Sequence, residues 1–254
     1  VGMGLARVLF SSLSGWMIDA LGVGSVYAGT ALLYVVTALT LLPLPLTGYA
    51  DSRGRSVWTD LKAGVGYLST CSILIPLLAL VFARGLLGMP YRTFMPKYAE
   101  DVMHLDAQGL GILLSAPGVG SLISSLVIAS LGNYRGKGRL FLIAGVVFGG
   151  FLILFASTQS LALVLIFLAV VGAASNACMV TNQTLIQTSC AAPYRGRVMS
   201  MYMMMFGLTQ LGTIPAGALA DSLGVPTVLW AQGALLALTF VLVWILLPKV
   251  RRLA

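Results

Sequence analysis

Arg84 stands halfway along an apolar run, LALVFARGLLG over residues 78–88. A cation at mid-bilayer costs about 2.5–3.5 kcal/mol on insertion scales unless it faces protein or water, so it marks a functional position by default. The chemistry it offers is attraction of an anionic group on a passing molecule. Tyr91 is seven residues on and shares its helical face, and Arg92 lies close to that face. The competing reading is a structural Arg, satisfied by backbone carbonyls or by an acid in the part of the first half expected ahead of Val1. A second polar set lies at Asn176, Gln183 and Gln187, spaced by seven and four, with Asn182 to one side. Asn176 and Gln183 either hydrogen-bond a substrate or bond other helices, the latter worth about 1 kcal/mol per contact. Gln210 lies deep in a later apolar run and joins the candidate substrate residues.

Other charges suit gating or coupling. Arg135, Lys137, Arg139, Arg195 and Arg197 form ion locks for one gating state, or simply orient the chain. Asp19 and Asp221 either carry protons or stabilise the turns that follow them. Arg7 shares a face with Ser11 and Ser14, and snorkelling to headgroups accounts for it. Met199, Met201, Met203, Met204 and Met205 suit a promiscuous apolar pocket or plain packing. No catalytic set is present: His104 is the sole histidine, and there is no Cys/His cluster, no P-loop and no nucleophile beside a base. Neither a metal nor a cofactor is expected, and the residues argue against an enzyme.

The elements that position these residues are membrane helices. The 254 residues are 59% hydrophobic and 9% charged, and mean hydropathy is +0.98, which leaves too little polar surface for a soluble domain. Apolar runs of bilayer-crossing length predict eight spans, near 2–22, 24–46, 72–95, 108–131, 140–157, 161–186, 198–221 and 226–247. In the fourth, Gly111, Gly118, Gly120, Ser121, Ser124 and Ser125 predict close helix packing. When the spans alternate, Arg53, Arg55, Lys62, Arg135, Lys137, Arg139, Arg195, Arg197, Lys249, Arg251 and Arg252 share one side. Lys97, alone or with Arg92, lies on the other with Glu100, Asp101, Asp106 and Asp221. Basic loops stay in the cytoplasm, so the C-terminus is expected there. The net charge of +8 is then a topology signal and calls for no nucleic-acid partner. Cys71, Cys178 and Cys190 fall in membrane or on the cytoplasmic side, and no disulfide is expected.

One segment occurs twice. Residues 15–26, GWMIDALGVGSV, and 217–228, GALADSLGVPTV, match at Gly15/Gly217, Asp19/Asp221, Leu21/Leu223, Gly22/Gly224, Val23/Val225 and Val26/Val228. A repeat at the junction of two apolar runs points to duplication of a helical block. The second copy ends the fifth span of a six-span block, so the first copy ends the fifth span of an earlier one. Four further helices are expected ahead of Val1, for twelve in two halves. The expected organisation is residues 1–46 as the last two helices of the first half and 47–71 as a cytoplasmic linker. Residues 72–254 are the second half. The linker opens on TGYADSRGRS and holds an amphipathic helix over 57–70, with Val57, Leu61, Val65 and Leu68 at helical spacing.

Two halves of six spans joined by a cytoplasmic linker resemble the major facilitator superfamily. Loop 132–139, GNYRGKGR, resembles the second copy of that superfamily's basic loop motif, with Asn133 or Tyr134 in place of its acid. QTSCAAPYRGRVMS, over 187–200, resembles the loop before helix eleven in the branch of siderophore and drug exporters, with Arg195-Gly196-Arg197 at its core. Ala6, Arg7 and Gly15 match the fifth helix of that branch, while Phe10 and Ser11 replace its Gly-Pro. The resemblance implies an all-α polytopic bundle with eight of twelve helices in this sequence. It also implies proton-coupled efflux of a small amphipathic or anionic molecule by alternating access. The partners would be a small-molecule substrate, the lipid bilayer, an ion gradient and the four preceding helices, in a bacterial inner membrane. A non-transporting sensor or scaffold on the same fold is the alternative.

Overall fold

The computed structural model describes residues 22–41, 66, 71, 73–132 and 134–253. Two units divide the chain, Val1–Ser56 and Val57–Ala254. The expected first span, with Arg7, Ser11, Ser14 and Asp19, lies outside the described residues. So does the linker with its amphipathic helix, apart from single positions.

In the first unit, helix α1 (Val23–Leu41) carries neither acid nor base in its end turns. Thr30 and Thr37 donate their hydroxyls to the carbonyls of Val26 and Leu33, each at 2.8 Å. That internal satisfaction removes the cost of a hydroxyl in an apolar medium.

Among the described residues, the second unit holds six helices long and apolar enough to cross a bilayer. The first, Leu74–Asp101, is α2 (Leu74–Ala83), a π-turn over Arg84–Gly88 and α3 (Tyr91–Asp101). Pro90 has no N–H and cannot extend a regular ladder, and the wider turn absorbs the mismatch. Helix α4 (Ala107–Ser130) is capped by Asp106, whose carboxylate accepts the Gly109 N–H at 2.8 Å. Helices α5 (Lys137–Ala156) and α6 (Leu161–Ser189) follow. Helix α7 (Arg195–Leu208) passes through a 3₁₀ turn, Thr209–Gly212, into α8 (Thr213–Leu223). Helix α9 (Val225–Leu246) and the short α10 (Pro248–Arg251) end the chain.

Four of these spans outrun the lengths expected from apolarity. The first reaches Asp101, α5 begins at Lys137, α6 ends at Ser189 and α7 begins at Arg195. The hydrogen-bond ladder continues past the apolar core into polar end turns, which hydropathy alone trims away. The repeat has a structural counterpart. Gly22 and Gly224, equivalent in the two copies, both adopt left-handed backbone, φ 78° and 82°. Each opens a helix, and a side chain there would be strained.

Small residues set the packing. Gly120 lies on the Ala169 carbonyl and Gly172 on the Pro117 backbone, so a Cβ at either would collide across the α4–α6 seam. Between α5 and α9, a Cβ on Gly149 would stand 2.6 Å from the Gly233 carbonyl oxygen. Phe141 and Phe240 meet edge to face nearby at 5.4 Å. Buried Leu77, Phe148, Phe155, Leu168 and Leu236 fill the interior. Ile112, Ile123, Leu126, Ile214, Trp230 and Ile245 are half or more exposed, as a lipid-facing surface requires.

Candidate functional site

The π-turn carries Arg84 into the interior, where it is 2% exposed. Its Nη1 donates to Ser175 Oγ on α6 at 3.3 Å. Two turns away along the same seam, Asn182 Nδ2 donates to the Leu77 carbonyl at 3.1 Å. Leu77 and Arg84, like Ser175 and Asn182, are seven residues apart, so α2 and α6 run antiparallel with a polar contact at each step. Cys178, Tyr202, Tyr91 and Arg92 lie within electrostatic range of the Arg84 guanidinium. Among the described residues, Nη2 of Arg84 is buried without a hydrogen-bond partner, and the same holds for Asn182 Oδ1 and Gln232 Oε1. An unpaired buried donor on a cation costs about 1–3 kcal/mol or more.

Tyr91 is buried, its ring edge-on to Phe148 at 6.3 Å. Its hydroxyl accepts from Arg92 Nε at 3.2 Å, and the Arg92 guanidinium lies 5.8 Å from the ring centroid. Arg92 itself is exposed. A buried guanidinium, a phenol and an exposed guanidinium therefore follow one another along this broken span.

Behind the site, two helix breaks pack together. Gly85 of the π-turn lies against the Thr209 side chain, and Gly212 of the 3₁₀ turn against Leu86. Thr209 is 4% exposed and donates its hydroxyl to the Phe206 carbonyl. At the end of the bundle reached by α3 and α8, Lys97 Nζ bonds Asp221 Oδ1 at 2.6 Å. Both side chains are exposed there, and the pair ties α3 to α8.

The other expected site residues do not gather around Arg84. Asn176 Nδ2 donates to the Ser121 carbonyl at 3.3 Å and to Ser125 Oγ at 3.0 Å, across the α4–α6 seam. Gln183 is half-buried on that same face of α6. Gln210 falls in the 3₁₀ turn, and its side chain is outside the described residues. Arg135, Arg139 and Arg195 are exposed, and Arg197 is half-buried with its guanidinium 5.8 Å from the Tyr194 ring centroid. All four are at the end of the bundle where Gly138 N–H bonds the Leu253 carbonyl at 3.1 Å, beside Lys249, Arg251 and Arg252. Met203 and Met204 face outward, whereas Met201 is buried.

Sequence reasoning missed Ser175, Tyr202 and Gln232. Ser175 and Tyr202 matter because of which helices meet, and a hydroxyl in an apolar span has no periodic signature of its own.

The family model of the Major Facilitator Superfamily matches residues 77–254. The staphyloferrin A transporter of Staphylococcus aureus (strain NCTC 8325 / PS 47) is 23% identical over 225 residues, covering 87% of this chain and 55% of that protein. The multidrug efflux pump Tap of Mycolicibacterium fortuitum is 27% identical over 256 residues, covering 98% of this chain and 62% of that protein. The chain thus spans a little over half the length of these curated relatives. No solved structure matches.

Proposed function

The chain belongs to the Major Facilitator Superfamily, and from that premise we propose that it forms the greater part of a secondary active exporter. The two halves expose a central site to each side of the membrane in turn, and a small amphipathic or anionic molecule crosses. Both relatives named above are transporters by name, one of them an efflux pump. The observation that carries the reading is Arg84, a buried cation with an unpartnered donor at the break of a membrane span. Arg84 and Tyr91 bind the cargo in this reading, whereas Asn176 is engaged across the α4–α6 seam, on the face of α6 that Gln183 shares. Arg135, Arg139, Arg195 and Arg197 lock the cytoplasmic side.

The energy source is the proton gradient. In this reading the proton carrier is sought in the four helices expected ahead of Val1, or at Asp19 and Asp221. The location is a bacterial inner membrane with the C-terminus cytoplasmic. The test is flux of tetraphenylphosphonium and of tricarballylate in energised everted vesicles carrying the full-length protein. Accumulation of either probe that collapses with a protonophore supports the reading. Probe levels equal to those of empty vesicles, with the protein correctly inserted, would sink it.

A further inference from the structure

Two basic segments far apart in the chain are packed into one corner of the second unit. Gly138, at the start of α5, donates its N–H to the Leu253 carbonyl at 3.1 Å, and a Cβ on it would overlap the Val250 carbonyl. Val250 is fully buried, so α10 is seated on α5 by its own side chain. The seat gathers Arg135, Lys137 and Arg139 with Lys249, Arg251 and Arg252, all close in sequence to that contact. Arg135, Arg139, Lys249 and Arg252 are exposed, and the Arg251 guanidinium lies 5.5 Å from the Trp244 ring centroid. Apolar surface begins beside them: Ile143 on α5 and Ile245 and Leu246 on α9 are half or more exposed. Both helices are long and apolar enough to cross a bilayer, so these side chains meet acyl chains. The cations one turn beyond them are at headgroup depth, the level at which tryptophans such as Trp244 are enriched.

Independently of the exporter reading, we propose that the α5–α10 corner binds an anionic phospholipid. Its phosphate lies among Arg135, Arg139, Lys249 and Arg252, and its acyl chains cover the apolar surface that begins there. Guanidiniums donate to paired phosphate oxygens, and the lysine adds a point charge. Bringing two basic segments together costs repulsion, which a phosphate between them offsets. The lipid in turn holds α10 against the start of α5.

The experiment follows thermal unfolding of the purified full-length protein in phosphatidylcholine–detergent micelles as phosphatidylglycerol replaces the phosphatidylcholine. A saturable rise in Tm that weakens with salt is expected, and inorganic phosphate should give none. Lys249→Gln with Arg252→Gln should keep the Tm in phosphatidylcholine alone. Each basic residue at a membrane surface contributes about 1 kcal/mol, about fivefold in affinity, so this pair should bind phosphatidylglycerol about 25-fold more weakly. Gly138→Ala keeps every cation but lifts α10 from its seat, and it should weaken the lipid as well, which separates a built corner from diffuse charge. A second measurement serves if Gly138→Ala folds poorly: quenching of Trp244 by brominated phosphatidylglycerol against brominated phosphatidylcholine, with the other tryptophans replaced by phenylalanine. Trp244 should prefer the anionic lipid, and the Lys249→Gln, Arg252→Gln protein should lose that preference. No rise with phosphatidylglycerol, a rise matched by inorganic phosphate, a rise untouched by the variants, or equal quenching by the two lipids overturns the proposal.

Discussion

Gly85→Ala is the substitution to which the packed helix breaks are most sensitive. A Cβ at residue 85 would stand 2.5 Å from the Thr209 Cβ and overlap its Cγ2 outright. Ordinary carbon contacts need about 3.5–4.0 Å, so the π-turn and the 3₁₀ turn must part by about 1–1.5 Å even if the Thr209 methyl swings aside. Thr209 has little freedom to yield, being buried and bonded to the Phe206 carbonyl. Overpacking of this kind costs about 1–3 kcal/mol. On the scale of soluble domains of this size that is a fall of about 2–12 °C in Tm. Removing the other half of the collision should restore it: Gly85→Ala with Thr209→Gly should recover most of the loss, a coupling of about 1–3 kcal/mol in a double-mutant cycle. The assay is thermal unfolding of the wild type, both single variants and the double variant in one detergent. Additive losses in the double variant, or a Gly85→Ala protein as stable as the wild type, would refute the contact. The same four proteins bear on motion. Two breaks packed back to back at mid-span are a natural bending point, and the Lys97–Asp221 bond joins the outer segments α3 and α8 beyond it. Flux should therefore fall in Gly85→Ala and return with the second change.

Three further outcomes follow from the packing. Asn176→Leu removes two bonds across the α4–α6 seam and should cost about 0.6–1.7 kcal/mol in unfolding measurements, with Ser125→Ala giving the smaller share. Gly120→Val and Gly172→Val should each prevent assembly of that seam, leaving little monodisperse protein by size-exclusion chromatography, because the atoms they would strike are backbone. A cysteine at Arg252 should react with a membrane-impermeant thiol reagent only in inside-out vesicles, since the basic end is expected in the cytoplasm.

The parts legible in the sequence were those that a single helix specifies by itself. A cation in an apolar run identifies Arg84 whatever surrounds it. The repeated Leu-Gly turn announces itself at Gly22 and Gly224, because only glycine takes that backbone comfortably. Spans are read from their apolar cores, while their ends at Lys137, Ser189 and Arg195 depend on ladders that run on into polar turns. Pairings between helices were beyond reach. Nothing in the sequence links Arg84 to Ser175, 91 residues apart, or Lys97 to Asp221, 124 apart. The polar stripe on α6 shows why: Asn176 and Ser175 are adjacent, yet one meets α4 and the other meets α2. Periodicity reveals that a face is polar and says nothing of which helix will meet it.

Flux by Arg84→Ala beside the wild type in energised everted vesicles, with surface-normalised amounts of inserted protein, decides whether cargo passes at Arg84. Protonophore-sensitive accumulation of the probe that the wild type moves should be lost, with correct insertion and a monodisperse protein. Accumulation at the wild-type rate would contradict it, and Arg84 would then be a structural cation of the α2–α6 seam.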